Sequence, residues 1–261
     1  MNSLPPESPK NAAEPQARES EWYNEHYKTS GTAPAKQILT GHTLLKHLGP
    51  WYGYALPHLR NTLTPSSRVL ELGCGTGRLP TQLVREGLVT PKNVFGLDQS
   101  QVAVDQAKAA IPEATFFVGD IYNLELPKAH FDVVLLMEVI EHLEFPDPAL
   151  QQIASVVGPN GLLYVSFPNY LHLPWLAVRI LAEKLNRPNW IVLQPIDKIY
   201  TVGRVRKLVE KAGFVFEHGI GSNYGPPVLY PLEKPWMTNT LNKLGFWWLS
   251  FHPILVFRKR N

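Results

Sequence analysis

The stretch Arg68-Val-Leu-Glu-Leu-Gly-Cys-Gly-Thr-Gly-Arg78 leaves this chain fewer ways to fold than any other part of it. Residues 68–72 read as a short buried strand, and Gly73, Gly75 and Gly77 make a turn that must approach something closely. Leu79, Leu83 and Val84 then recur at helical spacing, and Gly87 stands where a helix would stop. A strand, a glycine turn and a helix N-terminus together present backbone N–H groups to a ligand carrying negative charge. Glu71 adds a carboxylate two residues before the first glycine.

From Arg68 onward strands and helices alternate. Strands are expected at 93–97, 114–118 and 162–167, and the apolar run Phe131-Asp-Val-Val-Leu-Leu-Met137 suits a central parallel strand covered on both faces. Ser100 can cap a helix carrying Val104, Ala107 and Ile111 on one face. Asp147 and Pro148 read as the cap and first residue of the next helix, with Leu150, Ile153, Ala154 and Val157 on its inner face. Val205, Leu208, Val209 and Ala212 form another amphipathic helix ended by Gly213, and strands at 214–217 and 254–258 complete the set. The expected fold is α/β: a doubly wound, mostly parallel seven-stranded sheet with helices on both faces.

Two stretches interrupt the alternation. Residues 171–194 insert an apolar segment with Trp175 and Trp190 after the fifth strand, and 224–248 make a Pro-rich, aromatic connection between the last two strands. Both follow strands whose carboxyl ends face the expected ligand crevice, so both are candidate substrate walls. In 171–194 the apolar content exceeds what one core-facing stripe needs, which allows peripheral contact with a membrane.

At 261 residues and 44% hydrophobic, the chain holds one good-sized domain, placed at 67–261, plus appendages. Residues 1–20 are rich in Pro, Glu, Ser and Asn and read as a disordered tail. Residues 21–66 read as a helical prelude. Trp22, Tyr23, His26 and Tyr27 share one side of a short helix, and Ile38, Leu39, His42, Leu45 and the aromatic cluster at 51–54 follow. This prelude either packs on the core or serves as a lid over the site. A net charge of +3 is too small to argue for nucleic acid. The single cysteine, Cys74, excludes an intrachain disulfide, suits a reducing compartment and reads as a small residue filling the turn. No run approaches the roughly 18 apolar residues of a membrane span, and Glu7, Glu14, Glu19 and Glu21 speak against a transit peptide. The expected location is cytoplasmic.

Polar groups sit at the ends of successive strands. Asp98 lies 21 residues after Gly77, where two acceptor oxygens suit a ribose diol. Asp120 can accept from an adenine amino group while Ile121 packs on the ring. Met137-Glu-Val-Ile-Glu-His142 closes the fourth strand.

The succession Glu-Leu-Gly-Cys-Gly-Thr-Gly, Gly-Leu-Asp, Gly-Asp-Ile, Glu-Val-Ile-Glu-His and Pro159-Asn-Gly161, spread over roughly 68–170, closely resembles the motifs of class I S-adenosylmethionine-dependent methyltransferases. The resemblance implies S-adenosylmethionine as cofactor, held by Glu71, Gly73, Gly75, Gly77, Asp98, Gln99, Asp120, Ile121, Met137 and Glu138. The glycines would lie along its methionine and ribose parts and Glu71 would face its amino group. The dinucleotide fingerprint would want a third glycine at position 78, where Arg78 stands, so a nicotinamide-dependent oxidoreductase fits the alternation but not the turn. A non-catalytic adenosylmethionine-binding subunit is disfavoured because the glycines and acids are all present.

Methyl transfer from a sulfonium needs orientation, exclusion of water and a deprotonated nucleophile. His142 can serve as general base. Alternatively Glu138, Glu141 and His142 bind a divalent cation, Mg²⁺ or Zn²⁺, that acidifies a substrate hydroxyl. Glu-x-x-Glu-His resembles two subfamilies. The ubiquinone-biosynthesis O-methyltransferases share an acidic-Pro start to the next helix and an apolar insert after strand five, which implies a small or hydrophobic acceptor. The RNA 2′-O-methyltransferases complete the pattern with a downstream histidine that 194–201 lacks, and this counts against RNA.

Overall fold

The computed structural model describes residues 13–29, 50–185, 195–225 and 234–260. Helices α1 (Ala13–Thr29) and α2 (Pro50–Thr62) precede the first strand. Then follow β1 (Val69–Leu72), α3 (Arg78–Arg85), β2 (Val94–Asp98), α4 (Gln101–Ala110), β3 (Thr115–Val118) and β4 (Phe131–Met137). The second half runs α5 (Pro146–Val156), β5 (Val157–Ser166), α6 (Leu173–Lys184), α7 (Val202–Lys211), β6 (Phe214–Ile220), α8 (Pro235–Lys243) and β7 (Ile254–Lys259).

The strands form one seven-stranded sheet in the order β3-β2-β1-β4-β5-β7-β6. The first five strands are parallel, and β7 runs antiparallel to both β5 and β6. The order reverses between β1 and β4. Chains leaving these two strands diverge, which opens a crevice at their carboxyl ends.

Side chains alternate across the sheet, so each strand feeds two cores. Leu70, Leu72, Val134, Leu136 and Leu163 pack with Leu150 and Ile153 of α5 and Val205 and Val209 of α7. On the other face Val69, Val133, Leu135 and Tyr164 pack with Leu56 and Leu59 of α2, Leu79 and Leu83 of α3 and Val104 of α4. Each large apolar side chain buried this way contributes about 1.5–3 kcal/mol.

Three expectations are corrected by the fold. Helix α1 begins at Ala13, inside the stretch expected to be a disordered tail. Ala13, Glu14, Gln16, Ala17 and Glu19 are good helix formers, and Pro15 falls in the first turn, where its missing N–H costs no bond. Asp147 is not the cap of α5: Phe145 is, and Pro146 takes the first helical position that its fixed φ suits. Asp147 lies in the first turn instead, near the positive end of the helix, and pairs with Lys211 at 2.6 Å. Strand β5 starts at Val157, five residues earlier than expected, directly after α5. Residues 1–12, the segment containing Ile38, Leu39, His42 and Leu45, and Trp190 lie outside the described residues.

Candidate active site

The carboxyl ends of β1 to β4 open into a cavity of about 540 Å³, and α1 roofs it. Trp22, Tyr23, His26 and Tyr27 all line its wall. The roof is tied down by polar contacts to the start of α4. Ser20 Oγ donates to the Gln99 carbonyl at 2.9 Å, and Asn24 Oδ1 accepts from Ser100 Oγ at 2.7 Å and from the Val102 N–H at 3.2 Å. Ser100 also caps α4 as expected, accepting from the Ala103 N–H. Helix α1 thus covers the cavity from above.

The glycine turn takes left-handed φ values of +70° at Gly73, +51° at Gly75 and +73° at Gly77. The N–H groups of Gly73 and Cys74 both donate to the Leu97 carbonyl, at 2.8 and 3.0 Å, which fixes the turn to β2. Gly73 and Gly75 line the cavity, and a Cβ on Gly75 would stand 2.8 Å from the Tyr27 hydroxyl. Gly77 does not line it. Its missing side chain lets α4 approach instead, since a Cβ there would lie 3.0 Å from that of Ala107.

Asp98 ends β2 at the cavity wall and accepts from the N–H groups of Gly75, at 2.8 Å, and Ser100, at 2.9 Å. Burial pushes its carboxyl above the usual range while these N–H groups pull it back. Gln99, Asp120, Ile121, Met137 and Glu138 line the same space. Glu71 does not. It shares the Val69 side of β1 and faces α2, where the Tyr52 hydroxyl stands near its carboxyl. Burial raises the Glu71 carboxyl to about 8, the nearby Tyr52 hydroxyl opposing and Asp98 adding to the rise. Glu71 thus reaches the cavity only through Tyr52, which does line it.

Beyond Met137 the chain turns sharply. Glu138 adopts φ +56°, a conformation that costs a non-glycine residue about 1–3 kcal/mol. Its N–H donates to Ser166 Oγ at 3.0 Å, and Ser166 Oγ donates to Glu138 Oε1 at 2.7 Å. Oε2 lies 3.5 Å from His252 Nε2, and Asn223 Nδ2 donates to His252 Nδ1 at 3.1 Å. That bond leaves the proton of the neutral imidazole on Nε2, facing Glu138. Burial lowers His252 to about 3 and raises Glu138 to about 8.

Residues Ile140–His142 form a single 3₁₀ turn that carries His142 into the cavity. His142 Nδ1 donates to the Ile196 carbonyl at 2.6 Å, so the lone pair of the neutral ring sits on Nε2. Burial lowers its pKa, with the Ile196 bond and Asp197 acting the other way. Glu141 is buried behind it, 3.6 Å from Nε2, and its carboxyl is held well above the usual range by burial and by Glu138. The expected metal triad does not assemble. Glu138 is engaged by Ser166 and His252, and among the described residues no three His, Cys, Asp or Glu side chains converge as a metal requires. Cys74 is buried with its thiol pushed well up by burial, as a filler of the turn would be.

Residues 70–165 match the family model described as a methyltransferase domain. Over that stretch the chain is similar to S-adenosylmethionine-dependent methyltransferases. Among its relatives, the mitochondrial ubiquinone biosynthesis O-methyltransferase of Schizosaccharomyces pombe is 28% identical over 185 residues, covering 68% of this chain and 63% of that protein. The ubiquinone biosynthesis O-methyltransferase of Erwinia tasmaniensis is 29% identical over 164 residues, 61% of this chain and 66% of its own length. Both matches span somewhat less than two thirds of the relative. The magnesium protoporphyrin IX methyltransferase of Synechocystis superposes with a TM-score of 0.61 at 16% identity, over 92% of this chain and 99% of that one, a likeness of fold.

The site fits S-adenosylmethionine on geometric grounds. The cradle at Gly75 is one a Cβ would fill, Asp98 and Asp120 stand at adjacent strand ends, and the cavity has the volume of a small-molecule site. Tyr52, the Ile196 carbonyl and His252 carried no sequence signal of their roles. Each meets its partner across a long stretch of chain, which only the folded sheet closes.

Proposed function

We propose that this chain transfers a methyl group from S-adenosylmethionine to an oxygen of a small, hydrophobic acceptor, with His142 as general base. When bound, the cofactor supplies a methyl group already activated by the positive sulfonium. Gly73, Gly75, Asp98, Gln99, Asp120, Ile121, Met137 and Glu138 would hold it. Trp22, Tyr23 and Tyr27 exclude water from above, which keeps the acceptor oxygen from being solvated.

The observation that carries the reading is the His142 ring, which lines the cavity with Nδ1 committed to Ile196 and the lone pair on Nε2, 3.6 Å from the Glu141 carboxyl. Its lowered pKa keeps it neutral, and so competent as a base, near neutral pH. The lining also speaks to the acceptor. Glu19, Asp98, Asp120 and Glu138 stand against a single arginine, Arg78, at the turn. A phosphodiester backbone finds no cationic clamp there, which favours a neutral phenolic or catechol-like ring over RNA. The ubiquinone-biosynthesis relatives support the same choice.

In this reading helix α1 is the roof over a transferase domain that begins near residue 67. No helix among the described residues is long and apolar enough to cross a membrane. The buried cysteine suits a reducing cytoplasm, with the exposed apolar face of α6 as the place where a membrane surface would be met. Incubation with methyl-labelled cofactor and a panel of catechols, prenylated phenols, amines and short RNAs tests the proposal. Label on the phenolic oxygens supports it, and label confined to amines or RNA overturns it.

A further inference from the structure

The segment 195–199 crosses between the apolar insert and the proposed base. On one side it grips the catalytic turn. The Ile196 carbonyl accepts from His142 Nδ1 at 2.6 Å, the Lys198 N–H donates to the Glu141 carbonyl at 2.8 Å, and Lys198 Nζ donates to the Glu144 carbonyl. On the other side it is gripped by α6. Arg179 Nη1 donates to Asp197 Oδ2 at 2.9 Å and to the Tyr170 hydroxyl, and Nη2 donates to the Asp197 carbonyl at 3.4 Å. The guanidinium lies 5.1 Å from the centre of the Tyr170 ring, and Nε pairs with Glu183 at 3.0 Å.

Such a network is more than surface decoration. The Arg179 and Asp197 side chains are only 13% and 18% exposed, so their pairing is poorly screened. A planar guanidinium that stacks on one ring and forks across a carboxylate and a carbonyl leaves its partners little freedom. The only peptide unit between this anchor and His142 is the one joining Ile196 to Asp197. Arg179 also lies on a helix whose Leu173, Ile180 and Leu181 are exposed.

We infer that Arg179 and Asp197 are positioning residues for His142: by clamping Asp197 at its side chain and carbonyl they hold the adjoining Ile196 carbonyl, which fixes the imidazole as its Nδ1–H tautomer. This rests on the reading of His142 as the base. Neither residue lines the cavity. Their effect passes through one hydrogen bond, and α6 is thereby coupled to the base.

The test uses ¹⁵N-histidine-labelled full-length protein, with the His142 ring signals assigned by their loss in His142→Ala. Wild type is expected to show Nδ1 protonated and Nε2 bare. In Arg179→Met, which keeps most of the side-chain volume, the Nε2–H tautomer should become populated, while calorimetric affinity for S-adenosylhomocysteine stays within about twofold. With an accepted substrate in hand, kcat should fall about 10–10²-fold, the scale of a misplaced reacting group, with Arg179→Lys recovering part of the loss. Should Arg179→Met fail to fold, Asp197→Asn gives the same readout, since it keeps shape and removes only the charge. Unchanged ring signals in a folded variant overturn the proposal. The two readings fail separately. A tautomer that shifts in Arg179→Met while His142→Ala leaves turnover intact would sink the base assignment alone. An unshifted tautomer with a crippled His142→Ala would sink the clamp alone.

Discussion

The hydroxyl of Tyr27 stands 2.8 Å from the point at which a side chain on Gly75 would begin. Turn and roof therefore meet across a gap that only glycine leaves open. In Gly75→Val the new methyl groups occupy the cradle, and a φ of +51° adds at least about 1 kcal/mol of strain. Titration calorimetry should detect no binding of S-adenosylmethionine, with the far-ultraviolet circular dichroism of the sheet retained. Normal affinity in this variant would move the cofactor away from the turn.

His142→Ala should spare cofactor affinity and slow methyl transfer by about 10²–10⁴-fold, the usual worth of a general base. Because Glu138 is turned to Ser166 and His252 rather than toward His142, wild-type turnover should persist in EDTA. Activity that disappears in chelator and returns with Mg²⁺ or Zn²⁺ would restore the metal reading.

Glu71 offers a test of the buried face of β1. Folding raises its carboxyl to about 8 from an ordinary value of 4.5. The folded protein thus holds that proton more tightly than the unfolded chain. The stabilisation is complete below about pH 4.5 and is lost progressively as pH climbs toward about 8. Gln resembles the protonated acid and escapes the loss. The ligand-free Glu71→Gln variant should melt close to wild type near about pH 5 and clearly above it near about pH 8.5. A difference in Tm that does not grow with pH would place Glu71 in a wetter setting than β1 provides.

Leu173 is 70% exposed and Ile180 is 44% exposed on the outer side of α6. Replacing both with Lys removes apolar surface that the core does not use. Cofactor binding should be unchanged, while flotation with liposomes containing anionic lipid should be lost. Wild-type protein that never floats would end the membrane reading of this helix.

Much of the sheet was legible because each signal was local. The run at Phe131–Met137 is apolar on both faces, and Gly87 and Gly213 stop their helices at left-handed φ of +72° and +95°. Asp98 and Asp120 were legible for the same reason, as single acids at strand ends. The errors came where two local signals competed. At Pro146-Asp-Pro148 both prolines can open a helix, and the earlier one wins. The companions of the site were not legible at all. Tyr52 reaches Glu71, Asn223 reaches His252 and Ile196 reaches His142 through contacts that no spacing encodes.

The roof also carries a consequence for the order in which the protein is made. Helix α1 leaves the ribosome before any strand, yet Asn24 finds its partners in Ser100 and Val102, 76 and 78 residues further along. The aromatic wall of the site must wait, undocked, until β2 and the start of α4 have emerged. A chain begun at residue 50 would keep every strand of the sheet and lose Trp22, Tyr23, His26 and Tyr27 together. Such a fragment should fold while leaving its glycine turn open to water.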